Sequence, residues 1–338
     1  MLGSVARPNG IGIVLAAVGA VVVGCGGGDQ QPAVRSAPPI APPAAPRIVT
    51  PTTWVSHPRL ARVTARVHLR HGPTSVRFGS GGLWVTREDG RVSLVDVRSN
   101  RVLRTTRTGR FPVGVAFSGE GVWVANSQDD TVSRVDARTG RHLQTVKVGD
   151  CPTDLAVASG AVWVANGLDD TVTRVDARTG HVAAVVHVGA PPTGIRTITA
   201  GPDGVWVTGH DRLVRIDPFT NRIVERLRVD SPSGPVLTHD SLWVASQDGG
   251  TVVRFDRRTD RRVALVRVGS YPTFVAADDR FVWALNNGEG TVTQIDALTD
   301  RVVGKIPIGD RAYQLVVGAG AVWVQGYGRR AVVRIDPR

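Results

Sequence analysis

The sequence predicts an all-β fold, a seven-bladed β-propeller closed by an N-terminal outer strand. Three observations predict it. A tryptophan flanked by apolar residues recurs at Trp84, Trp123, Trp163, Trp206, Trp243, Trp283 and Trp323, with spacings of 39, 40, 43, 37, 40 and 40 residues. A period of about 40 is one propeller blade of four short strands. Glycine and proline are dense, 39 and 21 in 338 residues, as a chain with many tight turns requires. Outside the extreme N-terminus no long apolar pattern has the helical period of about 3.6 residues.

Residues 150–189 show one unit in full. Pro152-Thr153 opens it and LAVA forms strand A. Ser159-Gly160 turns into strand B, Ala161 to Asn166, which carries the tryptophan. Gly167 to Asp170 turns into strand C, Thr171 to Asp176. Arg178-Thr179-Gly180 turns into strand D, His181 to Val188. These turn residues tolerate the dihedrals of tight hairpins. Units start near residues 73, 112, 152, 192, 232, 272 and 312, and the seventh runs out after strand C, Ala331 to Asp336. Its missing strand D is supplied from the other end of the chain, where Ala61 to His68 (ARVTARVH) matches the style of Gln144 to Val148. Such closure removes an exposed sheet edge.

Residues 11–24, IGIVLAAVGAVVVG, form an apolar run behind Arg7. The run falls short of the ~20 residues of a membrane-spanning helix and fits the core of a signal peptide. It ends in Val22-Val23-Gly24-Cys25, which resembles a bacterial lipobox, where the signal is cut before the cysteine and the cysteine carries the lipid. The expected organisation is a lipoprotein signal peptide at 1–24, lipid attachment at Cys25, a Gly/Pro-rich tether at 25–59 and the propeller at 60–338. The tether prolines favour extended backbone of about 3.1 Å per residue. Trp54, within it, has no role in the repeat. The expected location is the extracytoplasmic face of a membrane, held by the lipid.

Residues 148–180, VGDCPTDLAVASGAVWVANGLDDTVTRVDARTG, and their sister at 109–140 resemble the YVTN-type β-propeller repeat family of extracytoplasmic bacterial proteins. The resemblance covers residues 60–338. It implies the fold and leaves activity open, because one scaffold hosts many functions. Streptogramin lyases look similar at a greater distance. They are seven-bladed with related repeats, and use histidine and acidic residues with a magnesium ion.

The most regular residues read as structural. The seven tryptophans belong to the core between sheets. The aspartates that close strand C, Asp96, Asp136, Asp176, Asp217, Asp256, Asp296 and Asp336, suit Asx turns. The acids of the B–C turns (Glu88-Asp89, Asp129-Asp130, Asp169-Asp170, Asp211, Asp248, Glu289) suit turn chemistry and lack a dense ligand pattern, so neither metal nor cofactor is expected. The two cysteines, Cys25 and Cys151, form no disulfide framework, and Cys151 reads as a free thiol in a loop between blades.

The net charge is +12, nearly all from arginine, with Lys147 and Lys305 the only lysines. These arginines are scattered along the chain, the mark of a solvated surface. Arg134, Arg174, Arg215, Arg254 and Arg334 recur at one strand C position, where pairing with carboxylates across strands is expected. Variation stands at one place near the start of each unit: Ser75, Gly114, Asp154, Gly194, Gly234, Phe274 and Gln314. Binding specificity is written where regular repeats differ, so Asp154, Phe274 and Gln314 are the candidate ligand-binding residues, lining a mouth of the central channel.

Three functions are compatible with this reading. The first is a lipid-anchored binding or scaffold module, monomeric, for an unknown protein or small-molecule ligand. The second is a lyase-like enzyme. His210 sits in a B–C turn and His239 in an A–B turn, on opposite faces, and only His71 could accompany His210, so close acid–base geometry is not expected. The third is an envelope binder of nucleic acid or another anionic polymer. Single-strand binding favours exposed stacking aromatics, and only Phe111, Tyr271, Phe274, Tyr313 and Tyr327 could offer them.

Overall fold

The computed structural model describes residues 47–49, 61–119, 121–189, 194–309, 311–326 and 330–337. The signal segment, Cys25, Trp54, Tyr327 and most of the proposed tether lie outside the described residues. Residues 45–338 form one compact unit, and all the described strands lie within it.

Seven sheets make up that unit, each built on four antiparallel strands in the order A, B, C, D. In blade three these are Pro152–Ala158, Ala161–Asn166, Thr171–Asp176 and Val182–His187. Blade seven is assembled from both chain ends. Its strands A, B and C are Ala312–Gly318, Ala321–Gly326 and Ala331–Asp336, and its strand D is Arg62–His68. The closing ladder runs from Arg62 opposite Asp336 to His68 opposite Ala331, so the expected N-terminal closure is present.

Blade five has a fifth strand. Arg47–Val49 pairs in parallel with its strand D, Arg262–Arg267, placing Ile48 opposite Leu265. Three residues of the stretch read as tether therefore join the sheet edge of one blade.

Each of the seven repeat tryptophans is at most 1% exposed. Each packs forward into the next blade. Trp123 of blade two meets Leu155, Val162, Val164 and Val175 of blade three, and Trp323 of blade seven meets Val76, Leu83, Val85 and Val95 of blade one. Burying each ring contributes roughly 1.5–3 kcal/mol by the usual area scale. The core of the molecule is thus the set of seams between adjacent blades.

The strand C arginines depart from the expectation of simple carboxylate pairing. In register they face the tryptophans, as Arg174 faces Trp163 and Arg254 faces Trp243. Their guanidinium carbons stand 5.1–5.5 Å from the ring centroids. From there each reaches the C–D turn of the following blade. Arg134 donates to the carbonyl of Arg178, Arg174 to Asn221 Oδ1, Arg254 to the carbonyl of Ala297 and Arg334 to that of Val97. Carboxylate pairing is present in three blades, Arg215 with Asp260 at 2.9 Å, Arg254 with Asp300 at 3.0 Å and Arg334 with Asp336 of its own strand at 2.7 Å. A cation stacked on a buried indole has a reason to stay at that seam that an exposed ion pair lacks.

Candidate functional site

The seven A strands line the ring axis. An inner edge strand has backbone groups without a ladder partner, and these need other partners. Side chains at the variable position supply them. Asp154 Oδ1 accepts from the amide of Leu155 at 2.9 Å and its Oδ2 from Ile198 of blade four at 3.2 Å. Gln314 Oε1 accepts from the amide of Val76 in blade one at 2.8 Å. The equivalent residue of blade four is Thr197 rather than Gly194, because Ile198 holds the register place of Leu155: Ile198 faces Val207 as Leu155 faces Val164. Thr197 Oγ1 accepts from the amide of Gly234 at 3.0 Å.

A bulge positions these side chains. The ladder slips by one residue between Pro152 and Asp154, Pro272 and Phe274, and Ala312 and Gln314, and such a slip re-aims the residue that follows. Small residues accommodate large ones on the neighbouring blade. Phe274 lies over Gly234, whose φ is +51° and where a Cβ would sit 2.6 Å from Phe274 Cα. Asp154, Phe274 and Gln314 are all nearly buried. They form a tight neck around the ring axis.

Below the neck, toward the A–B turns, lies an axial cavity of about 310 Å³. Asp154 and Phe274 line it together with Arg77, Phe78, Phe117 and Thr199, while Gln314 does not. The structure thus brings two of the three candidate residues into one site and leaves the third in the neck. Sequence reasoning missed Arg77, which stands at an A-strand position held elsewhere by Ala116, Ala156 or Val316 and was legible as a lone charge in that row.

Arg77 Nε donates to the carbonyl of Val115 at 3.2 Å, and its Nη2 stands 3.5 Å from Asp154 Oδ1. Arg77 crosses blade two to reach blade three. Burial pushes the Asp154 carboxyl above its usual range, opposed by Arg77 and by the amides of Ile198 and Leu155. Apart from Arg77, Asp154 and Thr199, the side chains lining the cavity are apolar. Such a site suits a small ligand with an apolar body and one polar group.

The B–C acids hold loops, as turn chemistry predicts. Glu88 accepts from the amide of Gly72, Asp129 from Arg110, Asp170 from Ile195 and Glu289 from Ser270. Asp89 lies between Arg87 and Arg91, whose hydrogen bonds outweigh its burial and lower its pKa. A second crevice of about 430 Å³ lies here, lined by Asp89, Arg107, Arg110, Phe111 and Asp129. Among the described residues no group of three His, Cys, Asp or Glu could hold a metal ion. His71 lies 3.6 Å from Asp89, and His210 and His239 are exposed on turns of opposite faces. None of the three lines the axial cavity. Cys151 is a free thiol whose sulfur lies 3.2 Å from Ser127 Oγ.

Solved structures share this fold. A streptogramin B lyase is 15% identical and superposes with a TM-score of 0.71, covering 81% of this chain and 97% of that one. Hydrazine synthase from Kuenenia stuttgartiensis is 17% identical, with a TM-score of 0.69 over 78% of this chain and 95% of that one. The Pan2 WD40 domain of Neurospora crassa is 12% identical, with a TM-score of 0.70 over 85% and 98%. At these identities the likeness shows the fold alone. No curated protein sequence matches the chain significantly. A family model described as a YNCE-like beta-propeller matches residues 115–338. With six of the seven tryptophans inside that match and the closed ring of sheets around them, the chain belongs to the YNCE-like β-propeller family.

Proposed function

We propose that the protein is a lipid-anchored, extracytoplasmic binding module that holds a small ligand, or a side chain of a partner protein, in its axial cavity. One observation carries the reading: among the described residues, the only charged pair lining that cavity, Arg77 and Asp154, is drawn together from blades one and three beside Phe78, Phe117 and Phe274. The regular residues of the repeats are engaged in seams and turns, so selectivity is left to this irregular set. Cys25 and the segment after it would display the ring outside the cytoplasm.

Two measurements test the two halves of the proposal. Native mass spectrometry of the protein purified from its source membrane is expected to show a small bound mass, lost in Arg77→Leu. An identical bound mass in both proteins would remove the cavity from the reading. Metabolic labelling with a tagged palmitate is expected to mark the wild type and spare Cys25→Ala, and labelling of both would remove the anchor.

A further inference from the structure

Successive strands are antiparallel, so all C–D turns emerge on one face of the ring, beside the A–B turns. Side-chain contacts confirm that neighbouring C–D turns stand next to one another: Arg134 reaches Arg178, and Arg104 reaches the carbonyl of Arg138. Each turn is built on an aspartate that accepts amide hydrogens from residues two and three places on, as Asp176 does from Arg178 and Thr179. The residue two places on therefore sits at the tip. In four blades it is an exposed arginine, Arg98, Arg138, Arg178 or Arg258. In blades four and six it is an apolar residue, Phe219 or Leu298, and these are 74% and 86% exposed.

The aspartate of each turn directs its charge inward to backbone amides. Of the other carboxylates on this face, Asp260 pairs with Arg215, Asp300 with Arg254 and Asp203 with Arg257, while Asp240 and Asp279, in A–B turns, are exposed. Strand D begins behind the tips on further exposed arginines, among them Arg101 and Arg141. The C–D turns thus set four arginine tips side by side with two apolar tips on this face.

We propose that this face docks on an anionic phospholipid bilayer, with the tip arginines on lipid phosphates and Phe219 and Leu298 set into the headgroup layer. A guanidinium matches a phosphate with paired hydrogen bonds. Leucine and phenylalanine beside basic residues are the composition of interfacial binding. A single-stranded nucleic acid would need a groove with stacking aromatics, and the two apolar tips lie on separate blades with Arg258 between them. The proposal does not depend on the lipid at Cys25 or on the axial cavity.

The test uses residues 45–338, the compact unit that contains every described strand and all seven core clusters, so that no lipid or signal segment contributes. It is sedimented with vesicles of phosphatidylcholine alone, or of phosphatidylcholine with phosphatidylglycerol. Binding is expected only to the phosphatidylglycerol vesicles at ~0.1 M salt and is expected to weaken as salt shortens the screening length. Changing Arg98, Arg138, Arg178 and Arg258 together to Gln is expected to weaken binding by roughly several hundredfold, each cation near such a surface being worth roughly a factor of five. The same four changed to Lys should retain most of it, which separates charge from misfolding. Phe219→Ser with Leu298→Ser should weaken binding while leaving the salt slope unchanged. Changing Arg70, Arg107, Arg228 and Arg267, on the opposite face, to Gln removes equal charge and should have little effect. The proposal fails if both vesicle types bind alike, if neither binds, or if the opposite-face variant loses as much as the tip variant. It also fails if the tip arginines prove necessary for single-stranded DNA while vesicles stay unbound.

Discussion

The strand C arginine shows how one residue can serve a repeat. It covers the indole of its own blade and fastens the turn of the next, so its loss opens a seam on both sides. Arg254 makes three such contacts, to Trp243, Ala297 and Asp300, whereas Arg134 has the Trp123 ring and one carbonyl. Arg254→Met is therefore expected to destabilise the propeller by about 2 kcal/mol and Arg134→Met by about 1 kcal/mol. Denaturant titration checks the order, and a larger loss at Arg134 would contradict it. The pair in the axial cavity makes a pH-dependent contribution. Burial raises the Asp154 pKa in the folded state and Arg77 holds it back. A raised folded pKa favours folding at acid pH, and that advantage is lost as pH rises through the folded value. Removing Arg77 raises the pKa further, so Arg77→Leu should lose more stability at neutral pH than below the ordinary carboxylate range. Thermal midpoints of both proteins measured from neutral to acid pH should converge, and a constant gap would place the whole effect in the lost bond to Val115.

At the scale of the element, much of the fold was legible because each blade repeats one hydrophobic and turn pattern. Trp at strand B, Asp at the end of strand C and Gly, Asn or Asp after it mark nearly every strand boundary. Strand count alone showed that Ala61 to His68 must complete blade seven. What stayed hidden follows from backbone register. A one-residue bulge near the start of strand A leaves no mark in composition, yet it turns Asp154, Phe274 and Gln314 into the neck. The longer lead-in to strand A of blade four moves the equivalent place from Gly194 to Thr197. The parallel strand at Arg47–Val49 lies among prolines and has no repeat to mark it. The closing strand can be tested directly. Val67 is 4% exposed and faces Val332. Val67→Asp would bury an unpaired carboxylate there, a change costing several kcal/mol. It should also free the edge of Ala331–Asp336, an exposed template for pairing with other chains. Concentration-dependent light scattering on warming is the expected sign, absent from the wild type under the same conditions. Scattering equal to wild type would mean the ring holds without that ladder.

For the whole molecule, closure decides how the ring comes apart. Six of its seams are crossed by a covalent D–A connection between consecutive complete blades. At the seventh, blade one connects back to a strand D that precedes it, and strands C and D of blade seven are joined only by their ladder. Side chains reinforce this junction: Gln314 accepts from Val76, Gln325 donates to the carbonyl of Pro73 at 2.6 Å, and Arg334 donates to that of Val97. A permuted chain separates the ladder's role from theirs. It starts at His71 and carries residues 61–70 after Pro337, joined through a copy of the blade two turn, residues 137–141. The short strand Arg47–Val49 is left out of both the permutant and the unpermuted chain compared with it, residues 61–338; every other strand keeps its neighbours, so the far-ultraviolet circular dichroism of the two should be the same. Blade seven becomes an ordinary hairpin, and its seam with blade one loses its covalent crossing and depends on packing and the three side-chain bonds. That seam should then part without first breaking a ladder. The permutant is expected to unfold at least roughly tenfold faster, with a smaller effect on refolding, if the closing ladder is absent from the folding transition state and breaks during unfolding. Stopped-flow unfolding measures this. Equal unfolding rates would assign kinetic closure of the ring to the side-chain contacts, with the shared blade adding only order of assembly.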